Sequence, residues 1–326
     1  METRTRELGL GICLKIMGTM KIFGRIAAIL VICVGLSGQE SSLTPLEDYA
    51  SFEAEHELVT RAQKYLDAGK YVKAAEQYRR AAKLQTTAEK RAGYLLHEAE
   101  NLLVGKKTHR ARQVYLELVN NYRFYIPLHS VLEQMRELAD NFEHGRGTML
   151  HLPDPAAAIE IYQKIVECQP GGEQSLPDRL VLGKKLESDG QEAKAVSLYQ
   201  ETVKLLPENA DVRLALAQCL SGLARKSDGA GELSRAAMRE AESFLKLASP
   251  ADPRRELVTE ILARAQNDEA ARLLARAEFY LVKYHYRPEV ARRYLLDILR
   301  DYPESTSVDR VKELLAQYFP EDKKGL

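Results

Sequence analysis

Apolar residues recur along most of this chain at spacings of three and four positions, with polar residues between them. In residues 62–84, for example, Ala62, Tyr65, Ala74 and Tyr78 mark the apolar faces of two successive segments. Because this period matches the turn of an α-helix, the pattern predicts a series of amphipathic helices. Alternating runs of β-branched residues bounded by turn signals are missing from the sequence, so no strand is predicted. The expected fold class is therefore all-α.

One pair of residues recurs within these helices, an Ala with an aromatic residue four positions later. The pairs are Ala74/Tyr78, Ala111/Tyr115, Ala158/Tyr162 and Ala195/Tyr199. Ala291 keeps the pattern, with Leu295 in the place of Tyr. Pro170, Pro207 and Pro303 follow the last three of these alanines at one constant distance. A small Ala lets two helices cross closely, and the Pro ends the helix.

This arrangement resembles the second helix of a tetratricopeptide repeat. First helices precede the second ones at a matching distance, and Gly69 and Gly190 are predicted to lie in the turns, where positive φ is useful. The alanines at 74, 111, 158, 195 and 291 are 37, 47, 37 and 96 residues apart. Since the standard unit has about 34 residues, we expect insertions in the array.

The widest of these gaps has room for a degenerate unit between residues 211 and 250, with a lengthened turn at 226–232. Its apolar and helix-ending positions are Leu214, Ala217, Leu220, Ala237, Ala241 and Pro250. Residues 305–319 are predicted to form a last amphipathic helix that covers the open end of the array. The expected architecture is a tetratricopeptide-type α-solenoid of about six helix hairpins with a C-terminal capping helix.

The start of the chain has the features of an export signal. The apolar run 26–36 is shorter than the about 20 residues that a membrane-spanning helix needs. Lys21 and Arg25 precede this run as a positively charged segment, and no stop-transfer stretch follows. We expect cleavage after Ser37 or Gly38.

A leader of normal proportions begins at Met20, so we expect the true start of translation there. The domains predicted are a leader over residues 1–38, a linker over 39–54, a repeat solenoid over 55–320 and a polar tail over 321–326.

Charge composition excludes one class of partner. The 326 residues include 47 Lys and Arg and 47 Asp and Glu, which gives no net charge at pH 7. Such a chain has no field that would draw it onto nucleic acid or an anionic membrane, so we expect no nucleic-acid partner.

Sequence motifs of catalysis and cofactor binding are also missing, including GxxxxGK[ST], HExxH and GxSxG. We therefore expect no enzymatic activity and no cofactor. His144 and His151 flank the loop 145–150, but no third ligand has a spacing that would complete a metal site. Cys168 and Cys219 lie in helical segments without a CxxC pattern, so buried thiols are expected.

A basic turn contains Lys106, Lys107, His109, Arg110 and Arg112. The first interpretation is a solvated corner between two helices. The alternative is a site for an anionic partner or a phospholipid head group.

The stretch AEFYLVKYHYRPEVARRYLLDILRDYPEST (277–306) resembles the last repeats of the BamD family, above all in its Tyr-Pro-Glu-Ser ending (302–305). Residues 62–84 resemble the family's first repeat, and 132–170 a middle repeat with a longer loop. The resemblance covers roughly residues 55–320. BamD is the helical-repeat component of the machinery that inserts β-barrels into bacterial outer membranes.

This resemblance implies a non-catalytic scaffold in the periplasm, at the inner face of the outer membrane. Its implied partners are other envelope proteins, including a barrel-inserting complex. BamD proteins carry a lipid on a Cys directly after a small residue, whereas Cys33 here follows Ile32 and Gln39 follows the apolar run. A soluble periplasmic adaptor that regulates envelope or cell-wall enzymes is therefore the alternative, with membrane association only through partners or through an anchor.

Stacked helix pairs form a concave surface built mainly from first helices. Counted from the Gly turns, the residues predicted to face this groove are Gln63, Leu66 and Asp67 in the first repeat and Lys184, Glu187 and Ser188 in the fourth. Extended or helical peptide segments are the expected ligands. Because the groove carries both signs of charge, binding should be sensitive to salt.

Overall fold

The computed structural model describes residues 44–169, 171–226 and 231–320; for residues 44–51 and Met149 it describes the backbone alone. Within these ranges the chain forms thirteen α-helices and no strand. The helices are α1 (Thr44–Asp67), α2 (Tyr71–Leu84), α3 (Ala88–Val104), α4 (Thr108–Asn121), α5 (Leu128–Glu143), α6 (Pro155–Cys168), α7 (Leu176–Ser188), α8 (Glu192–Leu205), α9 (Ala210–Lys226), α10 (Gly231–Leu247), α11 (Arg254–Leu281), α12 (Pro288–Asp301) and α13 (Val308–Tyr318). The leader over 1–38, the tail over 321–326 and Pro170 lie outside the described residues.

The chain divides into two units, Met1–Glu53 and Ala54–Leu326. Of the first unit, the structure describes only the beginning of α1. This helix begins at Thr44, inside the segment 39–54 that the sequence predicts as a linker. No helix in the described ranges is both long and apolar enough to cross a membrane. All packing described below belongs to the second unit.

Helices α1 to α12 pair in chain order into six hairpins, and from α2 onward each second helix also packs on the first helix of the next hairpin. The last helix, α13, packs on α12 and on the side chains of α11. Leu315, Val311 and Leu295 are fully buried in this closing layer. The prediction of an all-α solenoid with six hairpins and a capping helix is confirmed.

The first four hairpins close with the same turn. The second residue after the helix end has positive φ, at Gly69 (+66°), Lys106 (+54°), Gly145 (+65°) and Gly190 (+76°). In each turn the next amide donates to a carbonyl oxygen five residues back, over 2.7–2.8 Å. This is the Schellman arrangement, which satisfies carbonyls at a helix end and favours Gly. The placement of Gly69 and Gly190 is as predicted.

The alanine anchors occupy the helix crossings. Ala74, Ala111, Ala158, Ala195 and Ala291 are all fully buried. Tyr115 and Tyr199 are fully buried beside them, and Tyr162 is half-buried. The Tyr199 hydroxyl donates to Glu187 Oε1 over 2.8 Å, so this ring is fixed at both ends. A small residue with a large ring one turn later thus packs the second helix in each of the first four hairpins.

The degenerate unit forms a true fifth hairpin, because Ala217, Ala237 and Ala241 are fully buried between α9 and α10 and their neighbours. The capping helix is shorter than the predicted 305–319. Residues 305–307 form a turn before it, in which the Val308 amide donates to Ser305 O over 3.1 Å.

Buried carboxylates join successive hairpins. Glu98, Asp178 and Glu269, on three first helices, are 2%, 4% and 3% exposed. Each is paired with an arginine of the preceding hairpin, in the pairs Arg79–Glu98 (2.6 Å), Arg136–Asp178 (2.8 Å) and Arg235–Glu269 (2.8 Å). Because an unpaired buried charge is strongly destabilising, Glu98 and Asp178 need the neighbouring hairpin in place. Glu269 is also paired with Arg272 of its own helix.

Candidate functional site

The residues of α1 that are predicted to face the groove differ in their exposure to solvent. Gln63 and Asp67 are exposed, and Gln63 Nε2 donates to Asp67 Oδ1 over 3.0 Å. Leu66 is half-buried and packs beside Ala62 and Tyr78. The first two residues are therefore available to a ligand, whereas Leu66 also belongs to the packing of its own hairpin.

In the fourth hairpin, Lys184 and Ser188 are exposed on α7, and the Ser188 hydroxyl donates to Lys184 O over 2.9 Å. Glu187 is half-buried and accepts the hydrogen bond from Tyr199. Burial raises the pKa of the Glu187 carboxyl above its ordinary value. The structure thus brings Lys184 and Ser188 together on one surface and directs Glu187 to the interior of its hairpin.

Lys184 and Ser188 line a pocket of about 450 Å³ at the junction of α5, the α5–α6 connection and α7. Its lining residues are Glu143, Pro153, Pro155, Val181, Lys184, Lys185, Ser188 and Asp189. The two prolines, the valine and the lysine methylenes form an apolar wall, and the charged groups stand around it. Pockets of this size, with few polar groups on an apolar wall, are typical of binding sites.

Two charged side chains belong to the wall of this pocket. Lys185 forms an ion pair with Glu143 of the preceding hairpin, and its ammonium lies 5.0 Å from the centre of the Tyr162 ring. Burial lowers the pKa of Lys185. Lys185 is therefore held in place, whereas Lys184 is exposed and forms no salt bridge with any residue that the structure describes.

The α5–α6 connection, residues 144–154, is fastened at several points. Thr108 of the second hairpin donates to Gly147 O over 2.9 Å, and Thr148 Oγ1 lies 2.7 Å from Leu152 O. Asp154 caps α6 by accepting from the Ala157 amide over 3.0 Å. One side of the pocket is thus an ordered loop.

This loop also carries local strain and exposed leucines. Leu150 and His151 have φ values of +59° and +55°, which cost energy in residues other than Gly. Leu150 and Leu152 are 78% and 60% exposed, next to Pro153 at the pocket. Strain that is held by neighbouring contacts is concentrated at functional segments.

The sequence left two interpretations of the basic turn, a solvated corner between two helices or a site for an anionic partner. The structure shows that some of its residues have structural roles. Arg110 lies 3.7 Å from Glu76 of the first hairpin, and Arg112 lies 3.0 Å from Glu160 of the third. Both arginines therefore bridge hairpins. Lys106 closes the Schellman turn described above.

The histidines and cysteines considered for metal binding have other surroundings. His144 Nδ1 lies 2.9 Å from Asp140 O and 3.0 Å from Asp140 Oδ1. Over the ranges that the structure describes, no group of three or more His, Cys, Asp and Glu side chains could hold a metal ion. Cys168 and Cys219 are buried free thiols.

A polar network links the second and third hairpins. Gln134 Nε2 donates to Glu100 Oε1 over 3.2 Å, and the Tyr115 hydroxyl donates to Gln134 Oε1 over 3.1 Å. His97 Nδ1 lies 3.4 Å from Glu100 Oε2. The interaction with Glu100 raises the pKa of His97 above its ordinary value of 6.5.

We expect Glu100→Gln to return the pKa of His97 toward 6.5, measured by NMR titration of the imidazole. Because a raised histidine pKa favours the folded state below pH 6.5, that stabilisation should fade as pH rises through the folded-state pKa. Glu89→Gln, an exposed site on the same helix, is the control. Equal titration of His97 in the two variants would contradict the assignment.

Sequence reasoning missed the pocket as a unit. Glu143, Pro153, Pro155 and Lys185 come from α5, the α5–α6 connection, α6 and α7, and they meet only in the folded array. The Pro-Asp-Pro run at 153–155 gives a sequence signal, but it indicates the start of a helix and not a pocket.

No family model matches the sequence, and no curated protein matches it. Solved structures do match. The C-terminal part of a TPR repeat-containing protein from Cytophaga hutchinsonii is 14% identical, over 79% of this chain and 87% of that one, with a TM-score of 0.34. A tetratricopeptide repeat protein from Parabacteroides merdae is 14% identical, over 81% and 98%, with a TM-score of 0.31.

The fold is a tetratricopeptide-type solenoid. The six hairpins, the buried alanine anchors and the turn shared by the first four hairpins carry this conclusion. The TPR2AB domain of yeast Sti1, in a complex with pHSP90, is 16% identical to the solenoid, over 80% of this chain and 97% of that one, with a TM-score of 0.26. Likeness at these identities concerns the fold alone.

Proposed function

We propose that the chain is a non-catalytic scaffold that binds segments of other proteins along its first helices. The pocket at the junction of α5 and α7 is the observation that carries this proposal. It joins an apolar wall to an exposed cation, Lys184, on a repeat fold whose stacked units form extended binding surfaces. Gln63 and Asp67 of α1 extend the polar edge of the same set of helices.

The pocket favours a particular kind of segment. Pro153, Pro155 and Val181 provide a wall for one apolar side chain, while Lys184 suits a neighbouring carboxylate. Asp189 at the same pocket suits a cation. A peptide with an apolar residue between charges of both signs fits this lining, and its binding should weaken as salt screens the exposed charges.

We further propose that the scaffold works in the bacterial cell envelope, as an assembly factor of the BamD type. The export signal predicted over residues 1–38 and the BamD-like stretch 277–306 support this role. The proposed location is the periplasm, at the inner face of the outer membrane. The soluble adaptor of envelope enzymes is the second candidate, favoured by the missing lipid-acceptor Cys near residue 39.

The envelope role is tested by photo-crosslinking in cells of the source organism. A photoreactive amino acid replaces Lys184, and the crosslinked products are identified by mass spectrometry. Recovery of the barrel-inserting core subunit supports the assembly role. Recovery of a cell-wall enzyme in its place would replace that role by the adaptor role.

Pocket binding is tested with a matched pair of variants. Ser188→Trp should fill the pocket and lower the affinity for the crosslinked partner about tenfold or more. Ser197→Trp, on α8, is the control, because Ser197 is also exposed and its hydroxyl also donates to a carbonyl four residues back, over 3.0 Å. Isothermal titration calorimetry gives the affinities. Equal affinities of the two variants would exclude the pocket as the anchor site.

A further inference from the structure

The turn between α11 and α12 exposes a dense group of aromatic side chains. Residues 279–287, named here the aromatic turn, include Tyr284 at 90% exposure, Tyr286 at 56% and Phe279 at 49%. Val282, between them, is 50% exposed. Single exposed apolar residues are ordinary, but a contiguous group is typical of an interaction site, and Tyr is enriched among residues that dominate binding energy.

The aromatic turn is ordered by its own contacts. The Arg287 amide donates to Tyr280 O over 2.8 Å, and the His285 amide donates to Val282 O over 2.9 Å. The Phe279 and His285 rings stack with centres 4.3 Å apart, and Tyr280 stacks on Tyr294 of α12 at 6.2 Å. A surface that is already ordered loses little conformational entropy when a ligand binds.

Between these rings lies a recess of about 440 Å³. It is separate from the pocket lined by Lys184 and Ser188, named here the groove pocket. Phe279, Tyr280, Lys283, Tyr284, His285, Tyr286 and Arg287 line it. The recess therefore combines ring faces, which pack against an apolar side chain, with hydroxyl and cationic donors, which bind carboxylates.

Charge at the aromatic turn is unbalanced. Lys283 and Arg287 have no carboxylate partner in the part of the chain that the structure describes. Glu278, on the adjoining end of α11, is instead bound to Arg310 of α13 over 3.2 Å. The next acidic residue after Glu278 in the sequence is Glu289, in the first turn of α12. The recess itself thus has two cations and no acidic lining residue.

We propose that the aromatic turn is a second docking site, which binds an acidic peptide segment. One apolar or aromatic side chain of the segment packs among Tyr284, Tyr286 and Phe279. Its flanking carboxylates pair with Lys283 and Arg287. This site lies in the sixth hairpin, and its existence does not depend on the groove proposed above.

Fluorescence anisotropy of the full chain with two labelled peptides tests the proposal. One peptide has a central Phe flanked by Glu residues, and the other has Gln in place of every Glu. We expect binding of the Glu peptide alone, with an affinity that falls as salt rises. Lys283→Gln with Arg287→Gln, and separately Tyr284→Ser with Tyr286→Ser, should each weaken it about tenfold or more.

Matched controls distinguish binding at the aromatic turn from a general effect of positive charge or of exposed aromatic rings. Lys70→Gln with Lys107→Gln removes the same charge from the turns of the first two hairpins. Phe124→Ser removes a 95% exposed ring from another turn. Thermal unfolding followed by circular dichroism verifies that each variant is folded.

The outcomes are distinct. Loss of binding in both turn variants, with the controls unchanged, supports the site. Equal loss in Lys70→Gln with Lys107→Gln, or equal binding of the Gln peptide, overturns it. Failure of the Glu peptide to bind, together with binding to vesicles of phosphatidylcholine and phosphatidylglycerol, would assign the turn to a lipid surface instead. A negative Ser188→Trp result leaves this test unaffected, because the variants are different.

Discussion

Arg136→Met is expected to lower the free energy of unfolding by about 3 kcal/mol or more. Arg136 Nε and Nη2 donate to Asp178 Oδ1 and Oδ2, each over 2.8 Å, in a two-point pair between α5 and α7. Asp178 is 4% exposed, so removal of Arg136 leaves a buried carboxylate without its cation. Gln169 still donates to Asp178 Oδ2, but a neutral amide does not balance the charge.

A double-mutant cycle isolates the pair. Asp178→Leu should also be destabilising, because it leaves Arg136 without its carboxylate. The double variant with Arg136→Met should recover much of the loss, since apolar residues of similar volume often replace a buried ion pair at little cost. Urea unfolding followed by circular dichroism gives each free energy. A double variant as unstable as the sum of the two singles would show that the pair is not the source of the effect.

Gly183→Ala is expected to destabilise the chain by about 1 to 3 kcal/mol, although Ala favours helices. A methyl group at position 183 would lie 2.3 Å from the Tyr199 ring. Tyr199 is fully buried and its hydroxyl is bound to Glu187, so the ring cannot move aside without breaking that contact. The steric conflict outweighs the gain of about 1 kcal/mol in helix propensity.

The chain provides its own control for this substitution. Gly93 lies on α3, is exposed, and has nothing within 4 Å of the place where a methyl group would stand. Gly93→Ala should therefore stabilise the chain by about 0.5 to 1 kcal/mol. The two Gly→Ala changes thus have opposite signs. A shift of the thermal midpoint in the same direction in both would contradict the close contact between Gly183 and Tyr199.

Features of the fold that depend on residues close together in the sequence were predictable. Spacing within one repeat places the Ala and Tyr anchors on the apolar face of a helix, and Gly69 and Gly190 in a turn. The all-α class and the six hairpins followed from them. Even the irregular fifth hairpin was predictable, since Ala237 and Ala241 keep the apolar stripe of α10.

Features that depend on distant residues were not predictable in this way. Arg136 and Asp178 are 42 positions apart, and neither has a local pattern that names the other. The groove pocket has the same origin, because Glu143 and Lys185 meet only after two hairpins stack. Lys184 and Ser188 were found from the phase of α7, but the wall opposite them was not. A local sequence pattern predicts the helix face on which a residue lies. It does not predict which side chains of another helix pack against that face.

The ion pairs between hairpins also constrain how such a repeat array can evolve. At the first junction the arginine comes from a second helix, Arg79, whereas between the third and fourth hairpins it comes from a first helix, Arg136. These two junctions therefore use different pairs of helices for their ion pairs. A transposed unit would bring Glu98 or Asp178 against a surface that lacks its arginine, so exchanging these units would be destabilising even though their folds are alike.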